Sequence, residues 1–141
     1  MTKVLYSTKG WATGGRTGQA QSEDGRIKVT LDTPKELGGS GGDGTNPEQL
    51  FAMGYSACFL GALKVVAGKE KVKLSDDTKI TATVGIGPRD DGQGFGLDVA
   101  LQATIPGVDK AVAEDLVKKA HVVCPYSDFS RGNVDVKLSV A

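Results

Sequence analysis

Residues Asn46 to Gly68, NPEQLFAMGYSACFLGALKVVAG, decide the fold, because nowhere else do apolar residues run so long without a charge. Asn46 is a good N-cap, Pro47 suits the first helical position, and Gln49 stands three residues after the cap, so the start of a helix is written there. Gly68, followed by Lys69-Glu70-Lys71, reads as its stop. Between those ends Leu50, Phe51, Met53, Tyr55, Phe59, Leu60, Leu63, Val65 and Val66 go all the way round, so this is a central core helix that must be covered on every side. Its length is that of a membrane span, but Glu48, Gln49, Ser56 and Lys64 interrupt it. Gly54 and Gly61 lie about one turn either side of Cys58, which lets another backbone approach the sulfur.

The rest of the chain is short strands and one amphipathic helix. Val4 to Ala12, Gln19 to Ser22 and Arg26 to Leu31 read as a three-stranded antiparallel meander, the last two joined by Glu23-Asp24-Gly25, a hairpin signal. Pro34 to Thr45 holds five glycines in the seven positions from Gly38 and is a loop feeding the central helix. Lys79 to Ile86 and Phe95 to Ile105 form a second hairpin, the latter alternating Leu97, Val99, Leu101, Ala103, Ile105. Val108 to Val123 places Val112, Leu116, Ala120 and Val123 at helical spacing; Cys124-Pro125 ends it, and Val134 to Val140 supplies a sixth strand. The order β-β-β-α-β-β-α-β defines an α+β fold of antiparallel sheets on two central helices.

At 141 residues the chain fits a single domain, 1–141, and by that size buries roughly 68% of its unfolded surface. Lysine plus arginine balance aspartate plus glutamate at 17 each, with no run of one sign, so neither nucleic acid nor an anionic membrane is an expected partner. The N-terminus, MTKVLYSTKGW, has no apolar core behind a basic start. A cytoplasmic protein with reduced cysteines is expected on that basis.

Most catalytic patterns are missing. The glycine loop lacks a Gly-Lys-Ser/Thr ending and a Gly-x-Gly-x-x-Gly spacing, so it does not read as a phosphate cradle. Two separated cysteines and the one histidine, His121, are too few for a metal, and no bound cofactor is expected. His121, in the last turn of the amphipathic helix, reads as a partner of the helix dipole. No Gly-x-Ser-x-Gly occurs.

The cysteines remain, and free cysteines are often small buried hydrophobes. Three features set these apart. Cys58 lies mid-helix, too far from the N-terminus for the dipole to activate it, so a thiolate there needs a cation from elsewhere. Cys124 stands beside a proline at a helix end, where a local break lets the sulfur swing. Arg16, behind Gly14-Gly15, is a cation that can reach inward.

The run Gly44-Thr45-Asn46-Pro47-Glu48-Gln49-Leu50-Phe51, then Gly54-Tyr55-Ser56-Ala57-Cys58-Phe59, with Gly14-Gly15-Arg16 before and Cys124-Pro125-Tyr126-Ser127 after, resembles the organic hydroperoxide resistance proteins of the OsmC/Ohr superfamily. The resemblance spans nearly the whole chain; Thr17 stands where many members carry an acidic residue. It implies a thiol-dependent peroxidase in which Cys58 matches the peroxidatic cysteine, Cys124 the resolving one, Arg16 the activating guanidinium and Glu48 the carboxylate that holds it. It further implies a Cys58–Cys124 disulfide as the oxidised product, lipoylated protein as the dithiol reductant, and an intertwined homodimer. Tyr126 would help line a site for organic hydroperoxide.

Geometry bears on the dimer. Glu48 and Cys58 are ten residues apart on one helix, about 15 Å along its axis. If both serve one small site, one subunit lends Glu48 to the other's cysteine. Two other classes fit the same residues: a non-catalytic redox-switch dimer, and a small-molecule binding module using the glycine loop and an apolar cavity.

Overall fold

The helix written into residues 46–68 forms as α1, Pro47–Lys69, with its cap in place: Asn46 Oδ1 accepts the Gln49 N–H at 2.9 Å. Gln49 Oε1 does not complete the reciprocal box; it accepts the Thr45 hydroxyl at 2.6 Å instead. The stop lies past Gly68. Lys71 takes the left-handed conformation at φ 58°, its N–H bonds the Gly68 carbonyl at 3.2 Å, and the Val72 N–H bonds the Ala67 carbonyl at 2.9 Å. That pair of bonds is a Schellman ending, normally built on glycine, here carried by a lysine.

The computed structural model describes residues 3–141, and the chain separates into two compact units that meet within α1, one running to Leu50 and the other Phe51–Ala141. In the first, β1 (Gly10–Thr13), β2 (Gln19–Ser22) and β3 (Lys28–Thr30) form the expected antiparallel meander in the order β1-β2-β3. The strand expected from Val4 shrinks to Gly10–Thr13 because β2 has no residues left to pair with it: Gly10 already faces Ser22 at the turn. The turn closes with the Gly25 N–H on the Ser22 carbonyl at 3.0 Å. The glycine loop contains a 3₁₀ turn, Lys35–Leu37, and returns to the sheet where Thr45 bridges Leu31. Gly44 is required there: its N–H donates to Asp32 Oδ2 at 2.6 Å, and a Cβ would meet the Asp32 backbone at 2.7 Å. Leu31 is the one apolar residue of this unit that is fully buried among the described residues.

The second unit holds the core. β4 (Lys79–Pro88) and β5 (Phe95–Thr104) pair antiparallel from Lys79↔Thr104 to Pro88↔Phe95. The alternation of β5 is realised, with Val99, Leu101 and Ala103 buried and Asp98 and Gln102 exposed. β6 (Lys137–Val140) joins the other side of β5, but parallel to it, so this sheet is mixed and not antiparallel throughout. Alternation sets which residues face inward, not which way the strand runs. The helical crossover between β5 and β6 returns the chain to the end where it began, which makes the pairing parallel.

That crossover is α2 (Lys110–Val123) followed by a short additional helix, α3 (Pro125–Ser130), which periodicity over six residues could not announce. Tyr55, Phe59, Ala62, Leu63, Val66 and Ala67 of α1 close onto Ile80, Val99 and Leu101 of the sheet and onto Leu116, Val117 and Ala120 of α2. These α1 residues recur at three and four positions, one face of the helix. Within the single chain the other face is open: Met53 is 61% and Val65 50% exposed. Nothing lies within 4 Å of a Cβ built on Gly61, so no backbone approaches there, whereas Gly54 does leave room for the Tyr126 ring.

Candidate active site

Cys58 lies one helical turn after Tyr55 on α1, partly buried at the edge of the core. Cys124 is fully buried and extended (φ −65°, ψ 125°), serving at once as the last cap of α2 and the first of α3. Its N–H bonds the Ala120 carbonyl at 2.8 Å and its carbonyl accepts the Asp128 N–H at 3.0 Å, so the break between helices is held from both sides. Pro125 is the reason for the break: it cannot continue α2 and is well suited to start α3. The two sulfurs, 66 residues apart in sequence, stand 3.5 Å from each other as free thiols, within S–H hydrogen-bonding distance. A disulfide needs about 2.0 Å, a closure that one cysteine rotamer and a small shift can supply.

Burial pushes the Cys58 thiol above its ordinary value, the Tyr126 backbone N–H opposes this, and the neighbouring Cys124 adds to the rise. The Tyr126 N–H is the first one α3 offers, because Pro125 has none. Within this unit, then, Cys58 is crowded by apolar groups and favours the neutral thiol. The Tyr126 ring stacks on Phe51 at 6.0 Å and lies 5.7 Å from the Tyr55 ring, 40% exposed beside the cysteines.

The first unit holds the other two expected residues, and brings them together. Arg16 sits in a one-turn 3₁₀ segment, Gly15–Thr17, entered through Gly14 and Gly15, both at positive φ. Its guanidinium donates to both Glu48 oxygens, Nη1 to Oε2 at 2.8 Å and Nη2 to Oε1 at 2.6 Å. The fork matches the carboxylate in the paired geometry that makes such bonds strong. Hydrogen bonding from Arg16 holds the Glu48 carboxyl below its ordinary value, and Glu48 raises Arg16 in return. Thr17 uses its hydroxyl on the Gly14 carbonyl at 3.1 Å, and among the described residues the Arg16 guanidinium pairs with Glu48.

His121 is not the cationic dipole partner expected of it. Burial, with Arg131 close by, pushes its imidazole below the ordinary value, and Asp135 acts weakly the other way. The carbonyl of His121 is capped instead by the Arg131 guanidinium at 2.7 Å. His121 Nδ1 lies 2.8 Å from Ser127 Oγ, which is also 2.8 Å from the Tyr55 hydroxyl. Sequence reading missed this chain, since nothing local announces a contact between residues 55 and 127. Among the described residues no group of three or more His, Cys, Asp or Glu could hold a metal ion.

Comparison with known proteins places the chain in a family. A family model of OsmC-like proteins matches residues 39–139, and the chain belongs to the OsmC/Ohr family. Within that family, relatives over 50% identical to it include organic hydroperoxide resistance proteins. It is 55% identical over 139 residues to the one of Xanthomonas axonopodis pv. citri, covering 99% of this chain and 96% of that one. The crystal structures of organic hydroperoxide resistance proteins from Legionella pneumophila and Elizabethkingia anophelis superpose with TM-scores of 0.91 and 0.92, each at 51% identity and covering 99% of both chains.

Proposed function

We propose that this protein is a cysteine-based peroxidase that reduces organic hydroperoxides to alcohols. The observation that carries the reading is the 3.5 Å approach of two free sulfurs in an apolar setting. The Cys58 thiolate attacks the distal oxygen of R–O–OH; the O–O bond breaks, Cys58 becomes a sulfenic acid, and the departing alkoxide takes a proton to give the alcohol. Cys124 then attacks the sulfenic sulfur. A Cys58–Cys124 disulfide forms, and the hydroxyl leaves as water with the Cys124 proton. A dithiol such as a dihydrolipoyl group on a carrier protein reopens the bond by two exchanges and leaves as its own cyclic disulfide.

Cys58 needs help to ionise, because burial works against its thiolate. We assign that help to Arg16, with Glu48 holding the guanidinium flat and aimed. An arginine fork can both stabilise the thiolate and donate to the peroxide oxygens as charge develops on the alkoxide. The pair belongs to one chain, so in a homodimer Arg16 and Glu48 would be lent together to the partner's cysteine. Supporting a homodimer, the uncovered face of α1 presents Met53, Ala57, Gly61, Val65 and Gly68, small and apolar residues at helical spacing over which a second α1 can pack closely. The stacked Tyr126 and Phe51 rings favour an apolar peroxide over strongly hydrated hydrogen peroxide. A cytoplasmic setting would keep both thiols reduced between turnovers.

The test is steady-state consumption of cumene hydroperoxide with dihydrolipoamide as reductant. Wild type should turn over repeatedly and Cys58→Ser should not. A single stoichiometric oxidation without turnover would make the protein a redox switch, and consumption unaffected by Cys58→Ser would remove the peroxidase reading.

A further inference from the structure

Three buried polar side chains, Tyr55, Ser127 and Ser130, and the half-buried His121 surround the break between α2 and α3, and the peroxidase chemistry uses none of them. Ser127, fully buried, stands three residues into the turn that Cys124 starts. Its hydroxyl is shared at 2.8 Å by Tyr55 of α1 and at 2.8 Å by His121 of α2, while Ser130 lies 3.5 Å from the same tyrosine oxygen and donates to the Ser127 carbonyl at 3.1 Å. Tyr55 is three residues before Cys58, and His121 three residues before Cys124. One hydroxyl therefore ties the helical turn leading to one sulfur to the turn leading to the other.

Apolar residues would fill these positions more cheaply, since a buried hydroxyl must find partners to offset its lost hydration. What the polar chain adds is direction: a fully satisfied buried network fixes a single arrangement of the groups it joins. Burial and the Arg131 charge push the imidazole below its ordinary value, Asp135 notwithstanding, which favours the uncharged ring that meets Ser127. Arg131, on the His121 carbonyl at 2.7 Å, secures the junction from the far end of α3.

We propose that Tyr55, Ser127 and His121 are positioning residues that hold Cys124 against Cys58, and so govern the making and reopening of the disulfide. This rests on the proposed disulfide chemistry for its biological use, but the positioning can be measured without any peroxide. The reduced protein is equilibrated with glutathione and glutathione disulfide, Cys58–SH plus Cys124–SH plus GSSG giving the protein disulfide plus two GSH, and the disulfide fraction is read by thiol alkylation and mass.

Tyr55→Phe and His121→Ala should each disfavour the protein disulfide roughly tenfold, the effect of losing one buried hydrogen bond on a pre-set geometry. His121→Asn, whose amide can occupy the Nδ1 position, should recover most of the loss. Val99→Ala, a core deletion on β5, should lower stability while leaving the equilibrium within twofold of wild type. An unchanged equilibrium in Tyr55→Phe and His121→Ala, or an equal shift in Val99→Ala, would overturn the positioning role. A wild type that forms the disulfide in glutathione but consumes no hydroperoxide would count against the proposed function alone.

Discussion

The Arg16 guanidinium and the Glu48 carboxylate meet through two hydrogen bonds, 2.8 and 2.6 Å, across a separation of 32 residues. The contact fixes an arginine that otherwise stands on a two-glycine hinge. Glu48→Ala should leave the guanidinium loose and slow hydroperoxide reduction roughly ten- to hundredfold, the usual cost of a misplaced reacting group. Stopped-flow rates across pH check this; rates equal to wild type throughout would remove Glu48 from the mechanism. The same pair contributes to stability with a defined sign. Because the folded Glu48 carboxyl lies below its ordinary 4.5, the contribution is fully present above that value and is lost as pH falls through the lower folded one. The difference between wild type and Glu48→Gln in urea midpoint should therefore shrink as the solution is acidified below pH 4.5.

Removing the cation tests the other half of the relationship. If Arg16 has the proposed role, Arg16→Ala should remove the charge that counters the burial pushing the Cys58 thiol upward. The rate of hydroperoxide reduction should then keep rising with pH beyond the ordinary thiol value of about 8.5, while wild type reaches its plateau at lower pH. Identical pH profiles would mean that the arginine does not set the ionisation of Cys58.

The start of α1 was plain in Asn46-Pro47-Glu48-Gln49 because a cap is a local device, satisfied within four residues. β5 was legible for a similar reason, since strict alternation is the imprint of a sheet with one wet face. The direction of β6 was not, because alternation looks the same in either sense. The end of α1 was misjudged at Gly68 since the left-handed cap fell to Lys71, a residue type that rarely takes it. The cysteine contact followed only from the resemblance, and the Tyr55–Ser127–His121 chain from nothing local, because each joins residues brought close by the whole core.

The lysine at that cap leaves stability unused. Lys71→Gly should stabilise the protein by about 1 kcal/mol, because glycine adopts a positive φ without the Cβ clash, less the extra freedom it gains when unfolded. Urea denaturation would register this as a higher midpoint with an unchanged slope. A lower midpoint would contradict the Schellman reading.

Gly61 offers a separate test of association. A Cβ there meets nothing within 4 Å in a single chain, and Gly61 is exposed, so Gly61→Leu should fold normally. It should nevertheless obstruct the close packing of two α1 helices, and sedimentation velocity should show dimers giving way to monomers. Dimers of wild-type affinity would place the association elsewhere on the molecule.

The most direct measurement of the central claim is the intact mass of the reduced protein after one equivalent of cumene hydroperoxide. Wild type should become lighter by two hydrogen atoms as the Cys58–Cys124 bond closes, and Cys124→Ser should instead gain one oxygen, held on Cys58. Wild-type protein that keeps both thiols, or a Cys58→Ser variant that oxidises just as readily, would contradict it.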